Sequence, residues 1–479
     1  MKRASGVLMH ISSLPGEYSV GSLGKSALDF VDFLADCGFS YWQTLPICLS
    51  DDYNSPYSSF SAFSLNPNFI DLPSLYEDGL LSAEELEGAR QKTPYSCEFD
   101  RLRSERMALL SKAAKRYKDK DKIAAFLEAN KKTEEFCRFI AIKEANGGLA
   151  FTEWQSEDYD PDVYETWCFS QYIFTEQWKR LREYATKKGV MLIGDIPIYV
   201  ALDSSDVWSD PDDFLLGADM RPTMVAGVPP DYFSEDGQLW GNPLYDWAKM
   251  EKNGFAFWRE RIAFMSKFFD GVRIDHFRGL ESYYAIPADA KTARVGKWKK
   301  GPGIALIEAL RDECPDTFLI AEDLGVITDD VRALVEKSGC PGMKVLQFGF
   351  MGEDNSPHQP HNYDNNCVAY TGTHDNNTLL GYVFEQSDDA RRHLLEYCGY
   401  YYQGDDWRYG FDAILRTMFQ SHAGLLILPI QDLLLYGCDT RLNRPGVPDG
   451  NWCFRVTENQ METIDKKKFL YWNKLYSRI

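Results

Sequence analysis

The sequence predicts an α/β fold, a (β/α)8 TIM barrel with long helical and loop insertions between barrel strands. Two observations carry this prediction. Short apolar or β-branched runs alternate with helix-like segments along the 479 residues, and acidic residues follow several of these runs directly. In a parallel barrel the functional residues collect on the loops after the carboxyl ends of the strands, so both patterns fit one architecture.

Eight apolar runs are the candidate barrel strands. They lie near Val7, Trp42, Leu192, Val272, Leu319, Val345, Val368 and Ile427. The first, at 6–11, precedes a helix-like segment at 26–37 that Gly38 closes. The second, at 41–46, precedes a polar, tyrosine-rich loop at 51–68, which is a surface where ligand groups could dock.

Two insertions interrupt the alternation of strands and helices. Residues 78–189 have helical periodicity and start with a capping-box pattern at Ser82 and Glu85, which predicts an inserted helical subdomain. Its last helix is expected to begin at Asp160, with Pro161 in the first turn, and to stop at Gly189.

The second insertion, at 200–253, follows the apolar run 190–200 and is too long to be a turn. Its segment 228–247 carries five aromatic residues, Tyr232, Phe233, Trp240, Tyr245 and Trp247. We therefore treat 1–479 as a single catalytic barrel with inserted subdomains at 78–189 and 200–253.

From residue 254 onward the alternation is predicted to be regular. Helices are expected at 254–269, 304–311 and 328–338, and strands begin or lie at 271, 318–324, 343–348, 368–371 and 425–429. Four acidic residues then fall at or just past strand ends: Asp195, Asp275, Glu322 and Asp375. On a parallel barrel all four would meet at one mouth.

The run at 271–279, GVRIDHFRG, places Arg273 and Asp275 on the same face of an extended chain. Taken alone, this pair is most simply a buried salt bridge. A cluster of four carboxylates is costly through mutual repulsion, whereas glycoside chemistry needs one carboxylate that attacks and one carboxylic acid that protonates. A metal site competes for the same residue types, but no His-x-His or His-Glu-x-x-His spacing supports it.

Composition limits the ligands and the compartment. A net charge of −20 disfavours nucleic acid and anionic membrane surfaces as partners and leaves neutral or cationic ligands. Aromatic residues at 14% offer faces on which such ligands can stack. Eleven cysteines without a CxxC pair, and the lack of any apolar run of bilayer length, favour a protein of the cytoplasm.

Five blocks of sequence resemble glycoside hydrolase family 77, the family of the amylomaltases or disproportionating enzymes. The blocks are GVRIDHFRG at 271–279, AEDLG at 321–325, TGTHDNNT at 371–378, GDIPIYV at 194–200 and VPPDYFSEDGQLWGNPLYDW at 228–247. The similarity extends from residue 6 to about 454. It implies a 4-alpha-glucanotransferase that acts on α-1,4-glucans and malto-oligosaccharides, with no cofactor and no metal.

The same resemblance implies catalytic roles for four residues. Asp275 would be the nucleophile, and Glu322 the general acid and base. Asp375 would hold the distorted sugar in the transition state, and Arg273 would orient and ionise Asp275. The resulting mechanism is a retaining double displacement through a covalent glycosyl-enzyme, which keeps the α-1,4 linkage.

Five further residues are implied as substrate contacts. His374 and Asp195 would hydrogen-bond the sugar in the first donor subsite, and Tyr57 would stack on it. Trp240 would stack on the neighbouring acceptor sugar, and Asn443, in the RLNRPG segment, would contact a subsite. His374, Tyr57 and Trp240 could also be ordinary structural residues.

Two other functions are compatible with the sequence. A hydrolase of the same superfamily would use water as the acceptor in place of a sugar. A glucan-binding protein without catalysis is the second alternative, and the intact set of carboxylates speaks against it.

Overall fold

Eight parallel strands close into a barrel in the computed structural model of the protein, which describes residues 2–230, 235–352, 355–401, 408–447 and 449–479. In chain order the strands are Ala4–Leu8, Tyr41–Gln43, Met191–Ile196, Gly271–Ile274, Phe318–Ala321, Gly342–Val345, Cys367–Tyr370 and Leu425–Pro429. Each strand pairs with the next along the chain, and the eighth pairs with the first. The predicted barrel is confirmed, and all carboxyl ends lie at the same mouth.

Several strands are shorter than the apolar runs that predicted them. The sixth ends at Val345 and continues as a 3-10 helix, Leu346–Phe350, where the sequence predicts strand to residue 348. The third ends at Ile196, because Pro197 has no N–H for the ladder. The fifth ends at Ala321, so Glu322 is the first residue after the strand, at the mouth of the barrel.

Helices surround the barrel and fill the first insertion. The α-helices are Lys25–Cys37, Leu72–Glu77, Ala83–Gly88, Phe99–Arg116, Lys120–Glu128, Lys131–Ala145, Pro161–Lys187, Ser205–Ser209, Trp247–Lys252, Ala256–Ser266, Ile304–Glu313, Asp329–Ser338, Leu379–Glu385, Asp388–Tyr397, Arg408–Gln420, Ile430–Leu434, Glu458–Glu462 and Lys466–Leu475. No helix in the described ranges is long and apolar enough to cross a membrane.

The structure confirms the local helix signals in the sequence. Ser82 and Glu85 form the predicted capping box, in which each side chain accepts a hydrogen bond from the other residue's N–H. The long helix Pro161–Lys187 has Asp160 as its N-cap. Gly38 ends the first helix in the left-handed conformation, with φ of 75°. The division into subdomains at 78–189 and 200–253 stays a prediction.

The last part of the long helix belongs to the barrel wall. Trp178 is buried and its Nε1 donates to the Phe268 carbonyl over 2.9 Å, while its ring meets Phe269 edge-on at 5.1 Å. The helix that ends the first insertion is therefore also the one that leads into the third barrel strand.

A second sheet outside the barrel is absent from the sequence-based prediction. Its four antiparallel strands are, across the sheet, Gln238–Pro243, Met224–Val228, Ser282–Pro287 and Lys297–Lys300. The regular alternation expected after residue 253 is thus wrong between the fourth and fifth barrel strands. Pairing between segments distant in sequence leaves no local periodicity to detect. Of the aromatic residues singled out in this region, Tyr232 and Phe233 lie outside the described residues.

Candidate active site

Four strand ends at the barrel mouth carry the acidic residues that the sequence singled out. Asp195 lies in the third strand, Asp275 and Glu322 directly follow the fourth and fifth, and Asp375 lies in the loop after the seventh. The third, fourth and fifth strands are hydrogen-bonded neighbours. In the part of the chain that the structure describes, no group of three His, Cys, Asp or Glu residues is arranged to hold a metal ion.

Arg273 joins two of these carboxylates. Its Nη1 donates to Asp195 Oδ2 over 2.6 Å, and its Nη2 donates to Asp275 Oδ1 over 2.7 Å. The Arg273 side chain is only 6% exposed. Burial by itself would lower the pKa of Arg273, but Asp195 and Asp275 raise it well above its usual value. The guanidinium therefore stays charged and fixes the orientation of the Asp275 carboxylate.

Glu322 has the opposite environment. Its Oε2 accepts a hydrogen bond from the His276 N–H over 2.7 Å, and its Oε1 accepts one from the Leu324 N–H over 3.0 Å. Burial raises the pKa of Glu322 to about 8; Arg273 and the two N–H groups lower it, and the negative charge of Asp275 raises it. A carboxyl group with this pKa is protonated at neutral pH and can act as an acid.

Asp375 is held ionised by its neighbours. Its Oδ1 accepts a hydrogen bond from Asn443 Nδ2 over 2.6 Å, and its Oδ2 lies 3.3 Å from His374 Nε2. Partial removal of water would raise the pKa of Asp375, but His374 and the Asn443 hydrogen bond lower it to about 2. The mouth thus contains one carboxyl that favours the protonated form and one that favours the charged form.

Tyr57, from the tyrosine-rich loop, reaches the same group of residues. Its hydroxyl donates to Asp195 Oδ2 over 2.7 Å, and its ring stacks on His374 with centroids 4.8 Å apart and planes at 19°. Asp195 is 2% exposed, burial raises its pKa, and its Oδ1 has no hydrogen-bond partner among the described residues. The structure therefore places Asp195 behind Tyr57.

A buried carboxylate that the sequence reasoning missed holds the loop that carries His374 and Asp375. Asp432 accepts a hydrogen bond from the Thr371 hydroxyl at the start of this loop and one from the Leu379 N–H, 2.8 Å away, at its end. Asp432 is 1% exposed. It follows the eighth strand by three positions, so the signal that found the other acidic residues, an acid just after a strand, could have found it.

A second missed carboxylate, Asp206, holds the loop that carries Tyr57. It accepts hydrogen bonds from the Ala62 N–H over 2.8 Å and from the Ser61 hydroxyl over 3.4 Å. Burial raises the pKa of Asp206 to about 6, and the Ala62 N–H opposes this shift. Nothing in the sequence near residue 206 connects it to residues 61 and 62, so only the folded chain reveals the contact.

Two adjoining cavities meet at Asp275 and Asp375. The first has a volume of about 490 Å³ and is lined by Tyr57, His374 and Asn443 besides the two shared carboxylates. It also includes Tyr199 and Trp452, which the sequence did not single out. Asp195 is absent from the lining of both cavities.

The second cavity has a volume of about 270 Å³ and lies on the other side of Asp275. Glu322 lines this cavity and not the first. The two cavities together form one groove with Asp275 between its halves, and Glu322 faces only one half. A chain of sugars lying in such a groove would place one of its linkages beside Asp275.

Trp240 stands at the junction of the two halves and lines both. It lies on the outer strand Gln238–Pro243 and is 37% exposed. Its ring meets the His276 ring edge-on at 4.9 Å, and its Nε1 donates to Gln238 Oε1 over 3.1 Å. The exposed indole is thus fixed in the groove wall. It is not part of the main hydrophobic core.

Of the nine site residues predicted from the sequence, the structure brings eight into the lining of the groove. These are Tyr57, Trp240, Arg273, Asp275, Glu322, His374, Asp375 and Asn443. The ninth, Asp195, supports two of them from behind through Tyr57 and Arg273.

Comparison with known proteins gives consistent matches over the whole chain. A family model described as 4-alpha-glucanotransferase, Glyco_hydro_77, matches residues 9–461. The 4-alpha-glucanotransferase of Streptococcus pneumoniae is 44% identical over 100% of this chain and 98% of its own. That of Clostridium butyricum is 41% identical over 98% of this chain and 100% of its own.

Solved structures agree with these matches. The amylomaltase from Streptococcus agalactiae in complex with acarbose superposes with a TM-score of 0.95 at 36% identity, covering 100% of both chains. The amylomaltase from Corynebacterium glutamicum shares the fold, with a TM-score of 0.83 at 17% identity over 100% of this chain and 75% of that one. The resemblance seen in the five sequence blocks is confirmed: this chain belongs to glycoside hydrolase family 77, the 4-alpha-glucanotransferases.

Proposed function

We propose that the protein transfers segments of α-1,4-glucan between malto-oligosaccharides or longer glucans by a retaining double displacement. Family membership supports the reaction class. The observation that carries the mechanism is the contrast between the two carboxyl groups that directly follow adjacent strands. Asp275 is paired with the charged Arg273, whereas burial keeps Glu322 protonated, with a pKa of about 8. A carboxylate held by a charged guanidinium is suited to act as the nucleophile, and a carboxyl group that keeps its proton is suited to act as the acid.

In the first step Asp275 attacks the anomeric carbon while Glu322 gives its proton to the departing glycosidic oxygen. Oδ1 of Asp275 is held by Arg273, and no hydrogen bond reaches Oδ2 from the described residues, so Oδ2 is the oxygen free to form the new bond. The products are a covalent glycosyl-enzyme and a shorter glucan with a new non-reducing end. Glu322 is left as a carboxylate.

In the second step that carboxylate removes the proton from the 4-hydroxyl of another glucan, and the hydroxyl oxygen displaces Asp275 from the anomeric carbon. Two inversions restore the α configuration. Glu322 lines only the second cavity, and it must touch both the departing and the attacking oxygen. The second cavity is therefore the acceptor side, and the first cavity is the donor side.

On the donor side, Tyr57, His374, Asp375 and Asn443 are proposed to hold the sugar that is transferred. Asp375 stays ionised, because His374 and Asn443 lower its pKa to about 2, and can accept hydrogen bonds from sugar hydroxyls throughout the reaction. Such bonds strengthen as the ring flattens toward the transition state. Asp195 is proposed to act by fixing Tyr57 and Arg273, since its carboxylate lies behind them.

The proposed donors and acceptors are neutral glucans, with no cofactor, metal, nucleic acid or membrane as partner. A net charge of −20 supports a neutral ligand, because it repels phosphate backbones and anionic lipids. We also propose that the reaction takes place in the cytoplasm, in keeping with eleven cysteines that are all free thiols in the described residues.

Maltotriose as the sole substrate tests the function and its hydrolase alternative. Transfer should make glucose and products longer than maltotriose while the number of reducing ends stays constant. Hydrolysis raises that number at every turnover. Chromatography of the products combined with a reducing-end assay distinguishes the two. Reducing ends that climb in step with glucose, without any longer product, would refute the transferase and favour a hydrolase.

A further inference from the structure

The acceptor cavity extends beyond Glu322 and Trp240. Its lining includes a second tryptophan, Trp298, which is 42% exposed and does not line the donor cavity. Trp298 lies on Lys297–Lys300, and Trp240 lies on Gln238–Pro243. These are the two outer strands of the same four-stranded sheet. The sheet therefore contributes one exposed indole from each of its outer strands to a single cavity.

A buried cation covers one face of the Trp298 ring. The guanidinium carbon of Arg278 lies 3.9 Å from the Trp298 ring centroid, and the Tyr284 ring lies 5.1 Å away at 60°. Arg278 is itself only 4% exposed, and it donates to the Val326 carbonyl and to Ser282 Oγ. An indole clamped in this way loses little freedom when a ligand stacks on it.

Arg278 also has an unused donor at this end of the cavity. Its Nε is buried and has no hydrogen-bond partner among the described residues. Buried N–H groups without a partner are rare, because nothing replaces the water they have lost. Because this Nε belongs to the guanidinium that covers one face of the Trp298 ring and is shielded from solvent, it supplies no contact to a sugar stacked on the other face.

We infer that Trp298, backed by Arg278, forms a second acceptor position that binds the glucose unit next to the attacking one. The inference rests on the proposed function. Trp240 lines both cavities and serves the first acceptor unit, whereas Trp298 lines the acceptor cavity alone and is available to the following unit. An indole face suits the apolar face of a glucose ring. The ligand class is thus an α-1,4-glucan of two or more units, and glucose alone cannot use the position.

Acceptor competition with α-maltosyl fluoride as donor tests this inference. Fluoride needs no sugar position on the acceptor side, so only the acceptor occupies the second cavity. Isotopically labelled glucose and labelled maltose are offered separately, and labelled products are measured by chromatography and mass spectrometry. We expect Trp298→Ala to lower the ratio of kcat/KM for maltose to that for glucose at least fivefold, while Trp298→Phe, which keeps a stacking face, retains more than half of it.

Two further variants control for effects on folding. Trp298→Leu keeps a larger side chain than alanine but has no aromatic face. It should lower the maltose-to-glucose ratio of kcat/KM as Trp298→Ala does, which would show that the loss of the aromatic face and not the loss of volume causes the effect. Lys299→Ala changes an exposed neighbour on the same strand and should keep the wild-type ratio. Equal losses with both acceptors, or an unchanged ratio in Trp298→Ala and Trp298→Leu, would overturn the second acceptor position. Wild-type protein that releases fluoride without transfer to either sugar would overturn the proposed function and this inference with it.

Discussion

Arg273 and Asp275 lie two positions apart at the end of the fourth barrel strand, and Arg273 Nη2 donates to Asp275 Oδ1 over 2.7 Å. The extended backbone puts both side chains on the same face of the strand. The guanidinium is buried and is also bonded to Asp195, so its position next to Asp275 is fixed. The Asp275 carboxylate is therefore held through Oδ1, and the residue lines both halves of the groove.

Asp275→Asn should abolish transfer and hydrolysis together, because both need the glycosyl-enzyme. The expected loss is well over 100-fold in kcat, equivalent to about 2.7 kcal/mol of barrier. The amide keeps an oxygen for Arg273, so the thermal melting temperature should change little. Asp289→Asn, which alters an exposed carboxylate, serves as the control. Activity above a tenth of wild type in purified Asp275→Asn would show that Asp275 is not the nucleophile.

Glu322→Gln should accumulate the covalent intermediate with α-maltosyl fluoride. Fluoride leaves without a proton, so the first step survives, whereas the second step lacks its base. Intact-protein mass spectrometry should detect one added maltosyl group. The double variant Asp275→Asn with Glu322→Gln should show no adduct. An adduct that persists in the double variant would mean that another side chain attacks.

Activity should fall on the alkaline side with a pKa near 8. Because burial raises the pKa of Glu322 to about 8, the acid is protonated at neutral pH and is lost as the pH rises through that value. With maltotriose, kcat/KM should drop about tenfold for each pH unit above 8. With α-maltosyl fluoride as donor, formation of the glycosyl-enzyme should lose this alkaline limb. A flat profile between pH 8 and 10 with maltotriose would exclude Glu322 as the proton donor.

Trp240→Ala should shift the balance from transfer toward water. Water is present at about 55 M, so a sugar wins only if the site binds and orients it. Removing one stacking face costs the acceptor about 1 kcal/mol or more and costs water nothing. The ratio of longer products to new reducing ends from maltotriose should fall about fivefold or more, and Trp240→Phe should keep most of it. An unchanged ratio in Trp240→Ala would remove the indole from the acceptor site.

Asp206→Asn should change how stability depends on pH. The folded pKa of Asp206 is about 6, above the usual 3.8, so protonation favours the folded state. As the pH rises from 4 through 6, ionisation of Asp206 should therefore lower the free energy of unfolding of the wild-type protein by up to about 3 kcal/mol. The variant has no ionisable group at this position and should not show this loss. Urea unfolding at pH 4 and pH 7.5 should show the variant gaining stability relative to wild type at the higher pH. If variant and wild type differed in free energy of unfolding by the same amount at both pH values, the raised pKa of Asp206 would be contradicted.

The sequence by itself determined the barrel strands and most of the groove. A run of apolar residues followed closely by an acidic residue is a local pattern. In a parallel barrel every strand end points to the same mouth, so Asp275, Glu322 and Asp375 can be grouped from the sequence alone. Capping signals such as Ser82 with Glu85 are equally local, because their partners lie within one helical turn.

Tertiary structure decided what depends on residues distant in the chain. The contacts of Asp206 with Ala62 and of Asp432 with Thr371 join separate segments. The outer sheet that brings Trp298 to the acceptor cavity is formed by strands from the segments that follow the third and the fourth barrel strands. The protonation of Glu322 belongs to this group as well. A carboxyl group's pKa is set by its burial and by the charges folded around it, and neither can be read from the residues beside it in sequence.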